Sequence, residues 1–115
     1  MINIESKTEE GICELMVGGE VDASSSIHLD NALSEALSDH KKIIVNLTGL
    51  EYISSAGLGV FMSYLQQIEN ESIRLVVFGM KEKVQEVFQI LGLDQLLNIT
   101  DTRASALGII EDASV

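Results

Sequence analysis

The sequence predicts an α/β fold with a mixed, mostly parallel β-sheet of four to five strands, about four helices and an N-terminal β-hairpin. Two alternating apolar segments joined by a polar turn open the chain, "INIES" and "ICELMV" around "KTEEG". Strand-like apolar runs then alternate with segments of helical periodicity, a pattern typical of crossover connections between parallel strands. The central run "IIV" within "KKIIVNL" is apolar at every position, which indicates a strand covered on both faces.

The chain has 115 residues, of which 46% are apolar and 22% charged, so we expect one globular domain over residues 1–115. A formal net charge of −11 would repel nucleic-acid phosphates and anionic lipid surfaces, so neither is an expected partner. The N-terminus shows no signal-peptide pattern, and the single cysteine excludes an internal disulfide. These observations predict a cytoplasmic protein.

In the first half, "GGEVD" extends the second strand to Asp22, and "ASSS" offers helix caps. A helical face follows, formed by Leu29, Ala32, Leu33, Ala36 and Leu37. The next strand is "KKIIVNL", after which "TGLEYISS" is predicted to be a loop leading into the second helix. That helix is expected to bury the periodic face Leu58, Phe61, Met62, Leu65 and Ile68.

In the second half, the strand "IRLVVF" ends at Gly79, and a third helix follows with a periodic apolar face. Gly92 is positioned as its C-terminal cap. A short strand, "LLNI", precedes a last helix that starts at Asp101 or Thr102.

Functional sites in parallel sheets lie beyond the carboxyl ends of the strands. Three connections are expected to gather there: residues 22–26, 48–57 and 79–81. The middle one carries Ser54 and Ser55, where a polar pair interrupts an apolar region. One interpretation is a helix N-cap, worth about 1 kcal/mol. The other is phosphorylation, which adds about −1.5 to −2 charges at a helix start whose positive dipole end tolerates them.

Enzyme chemistry is not predicted. A nucleophilic serine needs a base, and His28 and His40 both fall on the first helix rather than near the serine pair. "ISSAG" lacks the first glycine of a nucleophile elbow, and no phosphate-binding loop is present. One cysteine and two scattered histidines do not form a metal-ligand cluster. We therefore expect no catalytic residue, no metal and no cofactor.

"EYISSAGLGVF" resembles the signature of the STAS-domain anti-sigma-factor antagonists, and "GEVDASSS" resembles the family's other recurring loop. The order of elements matches over residues 2–110. The resemblance implies a STAS-type fold and a small cytoplasmic bacterial regulator of transcription. Such a protein binds an anti-sigma factor, which is commonly a serine kinase that uses ATP and magnesium. A PP2C-type phosphatase resets this partner-switching system, and the nucleotide belongs to the kinase.

Carried onto this chain, the resemblance places the phosphorylated serine at Ser55. Gly57 follows it as in the family pattern, and Asp22 matches the acidic residue beside the phosphorylation site. Two positions depart from that pattern. Ser54 stands where the family usually has aspartate, which makes it a second candidate for the phosphate. Ala56 stands where serine or threonine is frequent.

The expected docking face is an exposed apolar surface around Leu58, Met62 and residues 79–81. The predicted partner-binding residues are Asp22, Ser24, Ser54, Ser55, Gly57, Leu58 and Met62. The alternative function is an unswitched STAS interaction module, either a scaffold or a subunit of a transport complex. In that case Ser55 serves only to start the helix.

Overall fold

The computed structural model of the chain describes residues 2–112 and confirms the predicted fold class. The strands are β1 (Ile2–Glu9), β2 (Ile12–Val21), β3 (Lys42–Asn46), β4 (Leu50–Ile53), β5 (Arg74–Phe78) and β6 (Asn98–Thr100). The helices are α1 (Ser26–Asp39), α2 (Ser55–Asn70), α3 (Glu82–Ile90) and α4 (Arg103–Asp112), with a short 3-10 helix at Leu93–Gln95. Within residues 2–112, no helix is long and apolar enough to cross a membrane.

The strands form a single sheet in the order β1-β2-β3-β5-β6, with β4 also paired to β2. Among the described strands, the β1–β2 hairpin is antiparallel and the other pairs are parallel. The long strand β2 serves two neighbours in succession. Its first half, from Ile12 to Met16, pairs with β3, and its end, from Gly19 to Val21, pairs with β4. Within the β2–β4 pairing the register shifts by one residue between Gly19, which lies opposite Leu50, and Glu20, which lies opposite Tyr52.

Strand β4 corrects the sequence prediction, which placed a loop over this segment and expected four to five strands where the described chain has six. Leu50 and Ile53 are buried while the two residues between them are exposed. That pattern does not alternate, so it carries no strand signal. The strand exists because its backbone pairs with β2, about 30 positions away in the chain.

The two faces of the sheet carry cores of unequal size. On the first face α1, α2 and α3 pack against alternate strand residues such as Ile43, Val45, Leu75 and Val77. On the second face α4 alone covers a smaller cluster, formed by Ile44, Val76, Phe78, Ala106 and Ile110. Strands β3 and β5 are therefore buried on both sides, as the continuous apolar run "IIV" predicts for β3.

The ends of the later helices follow the predicted caps. Gly92 has φ of +76° directly beyond α3, in the left-handed region where glycine carries no Cβ penalty. At the start of α4 the Thr102 hydroxyl accepts a hydrogen bond from the Ser105 amide at 3.1 Å. The helix thus starts with a threonine cap, one of the two predicted starting residues.

Side chains on the first face join the three helices to one another. The Phe61 ring on α2 meets the Phe88 ring on α3 with centroids 5.7 Å apart in a tilted arrangement. The Tyr64 hydroxyl on α2 donates a hydrogen bond to the Asp30 carboxylate on α1. This hydrogen bond, with partial burial second, raises the pKa of Tyr64 above its ordinary value of 10.0. Helices α1 and α2, which both start at the carboxyl edge of the sheet, are therefore joined by a side-chain hydrogen bond.

The Tyr64–Asp30 contact should make stability fall at alkaline pH. Because the pKa of Tyr64 is raised in the folded state, its stabilisation is complete below pH 10 and is lost as pH rises through the raised value. The free energy of unfolding, measured by urea titration from about pH 8 to pH 12, should fall more steeply for wild type than for Tyr64→Phe. Absorbance titration in a Tyr52→Phe background isolates the Tyr64 signal, which should shift to lower pH in Asp30→Ala. Equal slopes for wild type and Tyr64→Phe would contradict this account.

Candidate functional site

Two of the three predicted connections meet through direct backbone pairing. Val21 at the end of β2 lies opposite Ile53 at the end of β4. One residue further, the Ser54 amide donates to the Val21 carbonyl at 2.8 Å. Asp22 and Ser54 are therefore the first residues beyond two paired strand ends, so the acidic loop and the serine pair lie side by side.

The third connection, residues 79–81, reaches the same edge from β5. The Leu47 amide donates to the Phe78 carbonyl at 3.0 Å, which extends the β3–β5 pairing toward the edge. Gly79 has φ of +78°, and a Cβ there would lie 2.4 Å from Thr48 Cγ2, so only glycine fits. Beyond it the Lys81 ammonium forms an ion pair with the Glu51 carboxylate. All three predicted connections are thus brought together.

Asp22 organises the loop before α1. Its Oδ1 accepts from the Ser24 hydroxyl at 2.8 Å, the Ser25 amide at 2.9 Å and the Ser25 hydroxyl at 3.0 Å. The Ser24 hydroxyl first, then the Ser25 groups, lower the pKa of Asp22 to about 2. A fixed anion therefore lies on the exposed surface next to the serine pair.

Ser54 is the N-cap of α2, and its hydroxyl accepts from the Gly57 amide at 3.3 Å. Its backbone is extended, with φ of −85° and ψ of 170°, as an N-cap requires. The side chain is half-buried. The capping interpretation of the serine pair therefore applies to Ser54.

Ser55 is the first residue of α2 and is exposed. Within residues 2–112 no hydrogen bond to its hydroxyl is found. It stands at the positive end of a 16-residue helix, where first-turn amides lack intrahelical acceptors. Of the two serines, Ser55 is therefore the one whose hydroxyl is exposed and free of an intramolecular hydrogen bond among the described residues.

Leu58 is buried, so the expectation that it forms part of an exposed apolar surface is wrong. Gly57 is also buried, and a Cβ there would lie 2.7 Å from Ile53 Cγ1 and 2.8 Å from Val21 Cγ1. The absence of a side chain lets the start of α2 approach the paired ends of β2 and β4. Both residues therefore shape the site from beneath rather than present a surface.

Met62 is 46% exposed, although the helical pattern placed it on the buried face. At about 100° per residue, the centre of the buried arc lies near Phe61 and Leu65, and Met62 falls at its margin. It lies two turns after Ser55 on the same exposed side of α2. Tyr52 on β4 and Ile27 on α1 are also large exposed apolar residues, at 50% and 54%. The sequence analysis singles out neither residue, and for Tyr52 the reason is that the pairing of β4 leaves no local pattern.

Among the described residues, neither histidine forms a hydrogen bond with Ser54 or Ser55. His40 follows α1, with Nδ1 3.3 Å from the Ala36 carbonyl and Nε2 3.2 Å from the Thr8 hydroxyl. His28 is an exposed residue of α1. In the described part of the chain, the hydrogen-bond partner of the Ser54 hydroxyl is a backbone amide.

A helix-covered sheet with a capped serine pair beside an acidic loop defines a STAS-type module, and the STAS domain family model matches residues 3–106. The chain belongs to that family. The anti-sigma-B factor antagonist of Staphylococcus aureus (strain NCTC 8325 / PS 47) is 31% identical over 101 residues, which cover 87% of this chain and 94% of that protein. The chain is therefore a member of the anti-sigma-factor antagonists.

Solved structures agree on the fold. An anti-sigma factor antagonist from Mycobacterium paratuberculosis superposes with a TM-score of 0.89 at 20% identity, covering 96% of this chain and 95% of that one. The Bacillus cell fate determinant SpoIIAA in its phosphorylated form superposes with a TM-score of 0.69 at 20% identity, covering 96% and 99%.

Replacing Gly57 by alanine should destabilise the protein, whereas the same change at Gly59 should not. The new Cβ at position 57 clashes with Ile53 and Val21, and overpacking costs roughly 1–3 kcal/mol. Gly59 has nothing within 4 Å of its Cβ position, so alanine there should gain about 0.5–1 kcal/mol of helix propensity. Urea unfolding of the two variants measures both effects. Equal stabilities would contradict the close-approach role of Gly57.

The Asp22 carboxyl should titrate near pH 2 in the folded protein, against its ordinary value of 3.8. Because the pKa is lowered on folding, the associated stability is present above the ordinary value and is lost as pH falls toward 2. NMR titration of the Asp22 side-chain carbonyl carbon measures the value. Ser24→Ala should raise the pKa, since the largest stabilising hydrogen bond is removed, while Ser63→Ala on α2 serves as the matched control. An unchanged pKa in Ser24→Ala would show that another group holds the charge.

Proposed function

We propose that this chain is a phosphorylation-switched anti-sigma-factor antagonist. Unphosphorylated, it binds an anti-sigma factor that is also a serine kinase, and phosphorylation of Ser55 releases it. The observation that carries the proposal is that the two serines of the pair have different roles at the helix start. Ser54 caps α2 at 3.3 Å from the Gly57 amide, while the exposed Ser55 hydroxyl is left free.

The fold supports a phosphate at Ser55 without unfolding. The side chain is exposed, so the modified group stays in water. The amides of the first turn of α2 and its dipole favour negative charge at this end. Because Ser54 supplies the cap, the helix keeps its N-terminal hydrogen bond when Ser55 is modified. The phosphorylated SpoIIAA structure, which shares the fold, is consistent with this reasoning.

The same phosphate would oppose binding. It adds about −1.5 to −2 charges beside Asp22, which like any carboxylate of its kind is ionised at neutral pH. The chain already carries a net charge of −11, so a partner with a basic docking surface would complement the unmodified state. Desolvating a doubly charged group at an interface is costly, so one modification switches binding.

The docking face in this proposal comprises Asp22, Ser24, Ser55 and Met62 on the exposed edge, with Ser54 holding the helix start. Tyr52 is an additional exposed aromatic residue on the adjoining strand, of the type that anchors interfaces. The partner supplies ATP and magnesium, and a PP2C-type phosphatase reverses the reaction. The proposed compartment is the bacterial cytoplasm.

Phosphopeptide mass spectrometry on protein isolated from its native cells tests the modification. Trypsin releases residues 43–74 as one peptide, and fragmentation separates Ser54 from Ser55. We expect the phosphate on Ser55 and its loss in Ser55→Ala, with Ser54→Ala still modified. Phosphate on Ser54 would reassign the site. Its absence under every growth condition would favour the unswitched STAS module.

Binding of the organism's own anti-sigma factor, measured by calorimetry, tests the switch itself. Ser55→Ala should bind as wild type does, because it removes only a free hydroxyl. Ser55→Asp should bind at least about tenfold more weakly, equivalent to roughly 1.4 kcal/mol. Ser63→Asp on the same helix is the matched control for a non-specific charge effect. Wild-type affinity in Ser55→Asp would contradict the switch.

A further inference from the structure

Glu14 stands apart from the other acidic residues. It lies on β2, facing the second side of the sheet, and among the described residues it is the charged side chain that is buried, at 7% exposure. Its Oε1 accepts from the Arg103 Nε at 2.9 Å, and its Oε2 accepts from the Asn46 Nδ2 at 3.1 Å. Both carboxylate oxygens are therefore held, one by α4 and one by the end of β3.

The hydrogen bonds continue from Asn46 toward the candidate site. Asn46 Oδ1 accepts from the Thr48 amide at 3.0 Å and from the Thr48 hydroxyl at 2.7 Å. Thr48 starts the connection that carries the serine pair, and its methyl group lies against Gly79. We name this series the polar relay: Arg103, Glu14, Asn46 and Thr48. It runs from the first residue of α4 to the turn before β4.

That turn determines where β4 begins. The Leu50 amide donates to the Leu47 carbonyl at 3.0 Å, which closes the turn. The Gly49 carbonyl accepts from the Gly19 amide at 2.9 Å, at the point where β2 changes register. At the other end of β4, the Ser54 amide donates to the Val21 carbonyl. A shift of Thr48 would therefore displace the serine pair.

Stability alone does not account for the buried carboxylate. The apolar cluster of Ala106 and Ile110 already holds α4 on the sheet. The Arg103 side chain is 49% exposed, so its ion pair with the buried Glu14 is partly screened by water and adds little to stability. Unlike apolar contacts, the hydrogen bonds of the polar relay fix the orientation of the groups they join, because each one constrains an angle as well as a distance.

We propose that Glu14 and Asn46 are positioning residues that couple the docking of α4 to the conformation of the turn before β4. A partner that displaces α4 from the second face would break the Arg103–Glu14 hydrogen bond and leave one Glu14 oxygen unpaired. The hydrogen bonds from Thr48 to Asn46 would then weaken. The consequence for modification of Ser55 rests on the function proposed above. The coupling itself does not.

The test is NMR measurement of amide solvent-exchange rates on the full chain. Arg103→Ala should raise the exchange rate of the Thr48 amide about fivefold, the scale of one net hydrogen bond. The rate should rise relative to the amide of Val77 in β5, which reports global opening. If Arg103 only stabilised the fold as a whole, its replacement would raise the exchange rates of the Thr48 and Val77 amides equally. Lys41→Ala is the matched control, because Lys41 donates to the Glu71 carbonyl at the opposite end of β3.

A second variant pair leaves α4 untouched and keeps the test valid if Arg103→Ala unfolds. N46D keeps the acceptor for Thr48 but sets two carboxylates against each other, so the exchange rate of the Thr48 amide should rise. The double variant E14Q/N46D restores a donor and an acceptor, because the new amide at position 14 donates to the new carboxylate at position 46. This contact reverses the original polarity, and it should return the rate to within about twofold of wild type.

Unchanged Thr48 exchange in Arg103→Ala, or no recovery in E14Q/N46D, would overturn the coupling. The proposed function fails separately, by absence of phosphate from wild-type Ser55. If wild type is phosphorylated and Arg103→Ala changes amide exchange but not the extent of phosphorylation, the coupling stands and its regulatory consequence is overturned.

Discussion

The architecture depends on the shared edge of β2, which pairs first with β3 and then with β4. A strand of ten residues can serve two parallel neighbours in succession only if one ends before the next begins. The turn at residues 47–49 separates β3 from β4, and the β2–β4 pairing then shifts register between Gly19 and Glu20. Without the second pairing, nothing would bring Ser54 to the end of β2.

Two glycines at this edge of the sheet are explained by the close approach of neighbouring side chains. Gly57 and Gly79 each lie where a Cβ would meet a neighbouring side chain at less than 3 Å. Their roles are different, because Gly79 also adopts a positive φ whereas Gly57 is helical. The helix start is thereby pressed against the strand ends, and the residues that follow the strands, Asp22 and Ser54, become neighbours. The position of the exposed side chains therefore depends on the packing of Gly57 against the strand ends below them.

Local patterns were sufficient for most of the fold. The continuous apolar strands, the helical faces and the caps at Gly92 and Thr102 are each encoded within a few residues of one another. Strand β4 was missed because its stability comes from pairing with a distant segment rather than from its own alternation. Helical periodicity predicts the burial of Leu58 but not the exposure of Met62, since periodicity defines an arc but not which part of it the neighbours cover.

The convergence of the three connections could be predicted from sequence because parallel strands place their carboxyl ends at one edge of the sheet. Residue types alone left the two serines equivalent. The two serines differ because they lie on opposite sides of the helix start. Ser54 precedes the helix with an extended backbone and is half-buried, whereas Ser55 is the first helical residue and is exposed. Ser54 stands where the family pattern usually has aspartate, and it caps α2 without carrying a charge. The residue that supplies a negative charge at the paired strand ends is Asp22, and hydrogen bonds from Ser24 and Ser25 lower the pKa of its carboxyl.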